Sequence, residues 1–261
     1  MALNVRSPAV AGLFYPVDRQ ELMHEVHYLL ANAIASDCRP KALIVPHAGY
    51  QYSGPVAASA YACLRSVSEI IQRVVLLGPA HRMAIQGLAL PGVEVFDTPL
   101  GSVELDQNLV NKIVDLPQIC ISREAHVLEH SLEVQLPFLQ SVLGRFTLLP
   151  LAVGLTSAEA VADVLARVWG GEETLIVVSS DLSHYLPYAV AQRMDNETLQ
   201  SIVQLEQLVE HERACGSTAI NGLIIAAQQH HLTPQVLDLR NSGDTAGSRE
   251  RVVGYTAIAF D

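Results

Sequence analysis

The chain has 261 residues, of which 50% are hydrophobic and 16% charged, and its formal net charge is −11. So apolar a composition excludes a disordered chain, and the low charged fraction suits one compact α/β core. The negative balance and the lack of any Lys/Arg run exclude a nucleic-acid partner and disfavour an anionic membrane surface, and no stretch approaches the ~18 apolar residues of a membrane span.

Met1–Pro16 holds a single Arg and is broken by Pro8 and Pro16. It lacks the apolar core of a signal peptide, so it reads as mature protein and the chain as cytoplasmic. Further on, apolar runs alternate with amphipathic stretches. The runs predict strands at Ala42–Val45, Arg73–Leu77, Phe146–Val153, Thr174–Val178 and Val252–Phe260. The amphipathic stretches predict helices at Arg19–Ile34, Val56–Leu64, Asp106–Val114, Leu128–Val142, Ser157–Trp169, Ala189–His211 and Ser217–His230. Apolar runs of this length suit strands buried on both faces, and their alternation with helices predicts a three-layer α-β-α sandwich around a mostly parallel sheet. No linker, repeat or low-complexity stretch interrupts it, so residues 1–261 read as one domain. Cys38, Cys63, Cys120 and Cys215 form no CxxC pair and read as reduced thiols.

Three of the strands end in polar clusters: Pro46-His47-Ala48-Gly49-Tyr50, Gly78-Pro79-Ala80-His81, and Ser179-Ser180-Asp181-Leu182-Ser183-His184. Ligands of open α/β sheets bind outside the carboxyl ends of the strands. His47 and His81 share a setting of apolar strand, Pro and Gly. They read equally as a pair of imidazole ligands for Fe, Zn or Cu and as two hydrogen-bonded turn histidines. Asp181 reads as a helix N-cap or as a carboxylate orienting a ligating imidazole, and His184 as a general acid or base. In Glu129-His130-Ser131-Leu132-Glu133-Val134-Gln135-Leu136-Pro137, His130 and Glu133 share one helical face that would line a pocket or face solvent. His126 and His130 are four apart, a weak zinc pair with no third ligand. Cys215 precedes an apolar helix whose N-terminus would favour thiolate, which suits a metal ligand or a nucleophile paired with His130 or His184. The Ser/Gly/Thr-rich stretch Asn241–Arg251, with Asp244, Arg249 and Arg251 in it and Arg240 beside it, reads as a solvated loop with a lid as the alternative.

These blocks, together with Arg6-Ser7-Pro8-Ala9-Val10-Ala11-Gly12-Leu13-Phe14-Tyr15-Pro16, Cys215-Gly216 and Gly254-Tyr255, resemble the MEMO family (mediator of ErbB-driven cell motility), including its prokaryotic branch. The likeness runs nearly end to end and in order. It implies the fold of class III extradiol dioxygenases, in which two His and a Glu hold iron. A Cys replaces the Glu in MEMO proteins, so the resemblance implies His47, His81 and Cys215 as metal ligands. It implies that Asp181, His184 and His130 line the pocket, with His184 at the acid/base position. It also implies Fe(II), with Cu or Zn as alternatives, and a pathway shared with AMMECR-like and radical-SAM proteins. A thiolate is softer and more oxidisable than a carboxylate, which weighs against catechol cleavage. Three functions follow: redox or dioxygenase-like chemistry on a small substrate, a non-catalytic module binding a peptide or other partner, and a Cys/His hydrolase.

Overall fold

The computed structural model describes residues 4–34, 38–208 and 211–261. Its strands are β1 (Val5–Arg6), β2 (Ala42–Val45), β3 (Arg73–Pro79), β4 (Leu88–Leu90), β5 (Val95–Thr98), β6 (Gly101–Glu104), β7 (Ile119–Ile121), β8 (Thr147–Val153), β9 (Thr174–Ser179), β10 (His184–Leu186), β11 (Pro234–Asn241) and β12 (Val252–Phe260). Its helices are α1 (Arg19–Ala31), α2 (Tyr50–Ala62), α3 (Gln107–Ile113), α4 (Glu124–Val127), α5 (Leu136–Leu143), α6 (Ala158–Val168), α7 (Tyr188–Val203) and α8 (Ser217–His230). None is long and apolar enough to cross a membrane.

The main sheet runs β10-β12-β2-β9-β3-β8-β4-β7, with β11 also paired to β12. Its centre, β2-β9-β3-β8, is parallel throughout. Antiparallel pairings flank it, β12 against β2 on one side and β4 against β8 on the other. A small sheet, β1-β5-β6, stands apart. In the central strands successive residues feed two separate cores. Leu43, Val45, Val74, Leu76, Leu175 and Val177 pack with residues of α1, α2 and α5. Ala42, Ile44, Val75, Leu77, Ile176 and Val178 pack with residues of α6, α7 and α8. Helices therefore cover both faces, and the sandwich has three layers. This double coverage is why the strands read as unbroken apolar runs.

Several helix starts follow local chemistry. Asp18, Asp106 and Ser157 accept hydrogen bonds from backbone N–H groups in the first turns of α1, α3 and α6. Three helices depart from the sequence pattern. Helix α2 begins at Tyr50 and runs through Pro55, although proline removes a helix donor. The residue four before it, Gln51, is exposed, so water can take up the carbonyl that Pro55 leaves unbonded. The helix predicted over Leu128–Val142 is broken into α4, an irregular turn, a 3₁₀ turn at Glu133–Gln135, and α5. The Glu129 carboxylate accepts from the backbone N–H groups of His130 and Ser131, each at 2.9 Å. It thus offers those donors an alternative to helix bonds. The predicted Ala189–His211 helix ends at Val203, and residues 209–210 of that span lie outside the described residues.

Glu133 does not line a pocket. It is fully buried, and its carboxylate binds Arg6 Nη1 at 2.6 Å, the Tyr15 hydroxyl at 2.6 Å, and the backbone N–H of Ala9 and Val10 at 2.7 and 3.0 Å. Arg6 spends its other donors on the carbonyls of His126 and Glu129. One buried ion pair thereby fastens the N-terminal segment beside the turn that carries His130. Breaking a buried pair strands a charge, so Glu133→Ala should cost about 3–5 kcal/mol in chemical denaturation. Limited proteolysis of the variant should cut first within residues 6–16. A loss under about 1 kcal/mol would refute this role.

Candidate metal centre

The register of the parallel strands decides where the three polar clusters meet. Val45 pairs with Ser179, and Leu77 with Val178, so the carboxyl ends of β2, β9 and β3 lie side by side. His47, Asp181 and His81 emerge together from that edge. Two glycines allow the closeness. A Cβ on Gly78 would sit 2.8 Å from Ser131 Oγ, and one on Gly216 would sit 2.7 Å from Ser180 Cβ. These contacts bring the His130 turn against β3 and the Cys215 turn against β9.

One donor atom from each of His47, His81 and His130 lies within 4.8 Å of the others. The rings of His81 and His130 stack with centroids 4.8 Å apart, and His47 presents its edge to both. Hydrogen bonding fixes two of the tautomers. Glu129 is 1% exposed. Burial opposes its ionisation, yet the His81 ring and the backbone N–H groups of Ser131 and His81 outweigh burial and hold its pKa at about 2. An ionised carboxylate only accepts, so His81 Nδ1 donates to Glu129 Oε1 at 3.0 Å, which leaves Nε2 as the ring nitrogen turned away from that carboxylate. Ser179 Oγ donates to the Ser131 carbonyl at 2.6 Å and accepts from Gln135 Nε2 at 2.8 Å. With its hydrogen spent, it accepts from His47 Nδ1 at 2.9 Å, which leaves His47 Nε2 unprotonated beside the Cys215 thiol. Metal-binding histidines are prepared in this way, one ring nitrogen held and the other free. Among the described residues buried His130 Nδ1 has no hydrogen-bond partner, though it lies 3.4 Å from Glu129 Oε1.

Cys215 is outside the imidazole group but touches it. Its Sγ lies 3.3 Å from His47 Nε2 and accepts from the Asp181 backbone N–H at 3.3 Å. The helix start does not produce a thiolate here. Burial, and then the charge of Asp181, push the Cys215 pKa up to about 12. Asp181 is no helix N-cap either. Its Oδ1 accepts the His47 backbone N–H at 2.7 Å, tying the end of β2 to the end of β9. Burial raises its pKa to about 7.

A cavity of about 600 Å³ opens onto His47, His81, His130, Asp181 and His184. His184 lies on β10 at its edge. Burial lowers its pKa, so the ring is neutral near pH 7. A second cavity of about 440 Å³ is lined by His81 and Cys215 together with Met83, Ile85 and Leu155. The segment Asn241–Arg251, read from sequence as a solvated loop, roofs the larger cavity with Ser242, Gly247, Ser248 and Arg251. It is pinned by the Tyr188 hydroxyl on Asp244 Oδ1 at 2.5 Å and by Arg249 stacked on the Tyr188 ring.

The strand-end reading and the family resemblance together placed His47, His81, His130, Asp181, His184 and Cys215 near one another, and in the structure the first five line the larger cavity while Cys215 touches His47. Sequence reasoning missed Glu129, Ser179 and Gln135, which orient the imidazoles. Glu129 stood next to His130 in the quoted motif, but a helical reading aims it elsewhere.

The fold and the site define an α/β sandwich with a cluster of imidazoles, one that could hold a metal ion, at the carboxyl edge of its parallel strands. The chain matches the Memo-like protein family over residues 6–259 and belongs to that family. It is 38% identical to a MEMO1 family protein of Aquifex aeolicus, with 99% of this chain and all of that one aligned. It is 34% identical to one of Metallosphaera sedula, over 98% of this chain and 99% of that one. An uncharacterised Escherichia coli K12 protein of known crystal structure shares the fold, with a TM-score of 0.51 and 17% identity over 82% of this chain and 98% of that one.

His126 is separated from the site. Its Nε2 donates to the Ala89 carbonyl at 2.8 Å, and the ring packs on Phe96. Burial lowers its pKa from 6.5 to about 4, against the pull of that hydrogen bond. With the folded pKa below the unfolded one, stability is full above pH 6.5 and is lost as pH falls through about 4. The loss should approach about 3 kcal/mol. Urea unfolding at pH 7 and pH 4 measures it. His126→Gln keeps a donor toward Ala89 and does not titrate, so it should flatten this component. An unchanged pH slope in the variant would show the assignment to be wrong.

Proposed function

We propose that the chain is a mononuclear metal protein that acts on a small molecule held in the larger cavity. His47, His81 and Cys215 are its ligands, and His184 is the proton-transfer group. The observation that carries this reading is the pair of imidazoles held on Nδ1 by Ser179 and Glu129, in a three-histidine cluster whose donor atoms lie within 4.8 Å of one another. The donor set fits an ion. The 3.3 Å between Cys215 Sγ and His47 Nε2 is close to the roughly 3.5 Å that a nitrogen and a thiolate span on one tetrahedral metal. A half-buried thiol that resists ionisation becomes a good ligand once a cation stabilises its thiolate. Two imidazoles and a thiolate suit Fe, Cu and Zn, and the family resemblance puts Fe(II) first among them.

Bound there, the ion supplies Lewis acidity and, as iron or copper, one-electron exchange. The protein supplies the rest. Glu129 and Ser179 hold the ligand tautomers, and Asp181 fixes the approach of the two strand ends. Neutral His184 can take a proton from a hydroxyl in the cavity on its free ring nitrogen, since the other bonds the Leu182 carbonyl. A Cys/His hydrolase is disfavoured, because a thiol titrating near 12 is not an activated nucleophile.

Anaerobic loading with Fe(II) should give about one equivalent per chain by metal analysis. His47→Ala, His81→Ala and Cys215→Ser should each lose it, and Glu129→Gln should weaken binding about 10- to 100-fold. His130→Ala should keep the metal. Loss in His130→Ala with retention in Cys215→Ser would hand the third place to His130. Wild-type protein that retains no metal would end the proposal.

A further inference from the structure

The larger cavity has a mouth whose chemistry the metal reading does not use. Arg251 is the one Lys or Arg among the residues lining it, in a chain of net charge −11. It is exposed, and among the described residues no hydrogen bond or ion pair engages its guanidinium. The group lies instead over the Tyr185 ring, 5.2 Å from the centroid. Tyr185 is itself unusual. It is 62% exposed, and its φ is +58°, a left-handed conformation that residues with a side chain adopt rarely. Pairing of His184 with Val253 and Leu186 with Val252 shifts register around Tyr185, and this presents its ring beside Arg251. Phe14, Tyr52 and Tyr255 supply further flat walls.

We infer that this cavity takes a small molecule with a carboxylate on a flat ring, and that Arg251 and Tyr185 select it. A guanidinium offers a planar fork that matches a carboxylate with two parallel hydrogen bonds. A single fixed cation suits one negative charge, whereas a phosphate dianion would be left partly uncompensated. The aromatic walls reward a ring and give nothing to a bare anion. The inference rests on the reading of this cavity as the substrate site, and it does not depend on the ion.

The test is calorimetric titration of the full chain, treated with chelator, with benzoate, benzamide and acetate as probes at fixed ionic strength. Benzoate should bind at least tenfold more tightly than either of the others. Arg251→Ala should bring benzoate down to the level of benzamide, leave benzamide unchanged, and retain the wild-type Fe(II) content when loaded. Arg251→Lys should recover only part of the preference, since the charge returns without the fork. Equal affinity for benzoate and benzamide in the wild type would overturn the inference. So would a preference that survives Arg251→Ala, which would place the carboxylate at the histidines. Because the titration is run without metal, failure of the metal reading would leave this result standing, and failure here would leave the metal reading untouched.

Discussion

Glu129 gathers four donors on one buried carboxylate: the backbone N–H and ring Nδ1 of His81, and the backbone N–H groups of His130 and Ser131. Those bonds do three things at once. They stop the helix that the sequence pattern would otherwise continue, they turn His130 toward β3, and they fix His81 with Nε2 turned away from the carboxylate. Desolvating a carboxylate is costly, and this one stays charged only because every bond it makes favours the ionised form. Site geometry and local backbone therefore stand or fall together.

A similar coupling operates on the opposite wall. Ser179 closes β9 and passes its hydrogen to the Ser131 carbonyl, which leaves it able only to accept from His47 and Gln135. Asp181, two residues on, holds the His47 backbone and abuts Cys215. The two histidines are thus oriented by different elements that meet at Ser131. Further out, Glu133 fastens the N-terminal segment to the same turn through Arg6 and Tyr15. Phe14, carried by that segment, then reaches the cavity and packs against His130.

Much of this was legible in the sequence, for physical reasons. The four central parallel strands are covered on both faces, so their residues are apolar without alternation and stand out from everything around them. The strands that went unread are short or half exposed. β11 carries Gln235, Asp238 and Arg240, and lies against β12 at the margin of the sheet, where no apolar run is required. β4, β7 and β10 are three residues each and offer no period to detect. Loop Asn241–Arg251 looked solvated because its composition is polar. It is ordered by Asp244 on the Tyr188 hydroxyl and by arginines stacked on Tyr185 and Tyr188, contacts that no spacing reveals.

By itself the sequence determined the layer order and the family, and it determined which side chains the strand ends carry. Those depend on local hydrophobicity and on short ordered motifs, both of which survive without coordinates. The tertiary structure decided which partner each polar group finds. Glu133 and Glu129 are four residues apart on one motif, yet one binds the N-terminal segment and the other orients a histidine. Cys215 sits before a helix that would favour thiolate in water, yet burial and Asp181 keep it protonated. A charge's role is set by what surrounds it in space, and the surroundings here come from strands, turns and loops far apart in the chain.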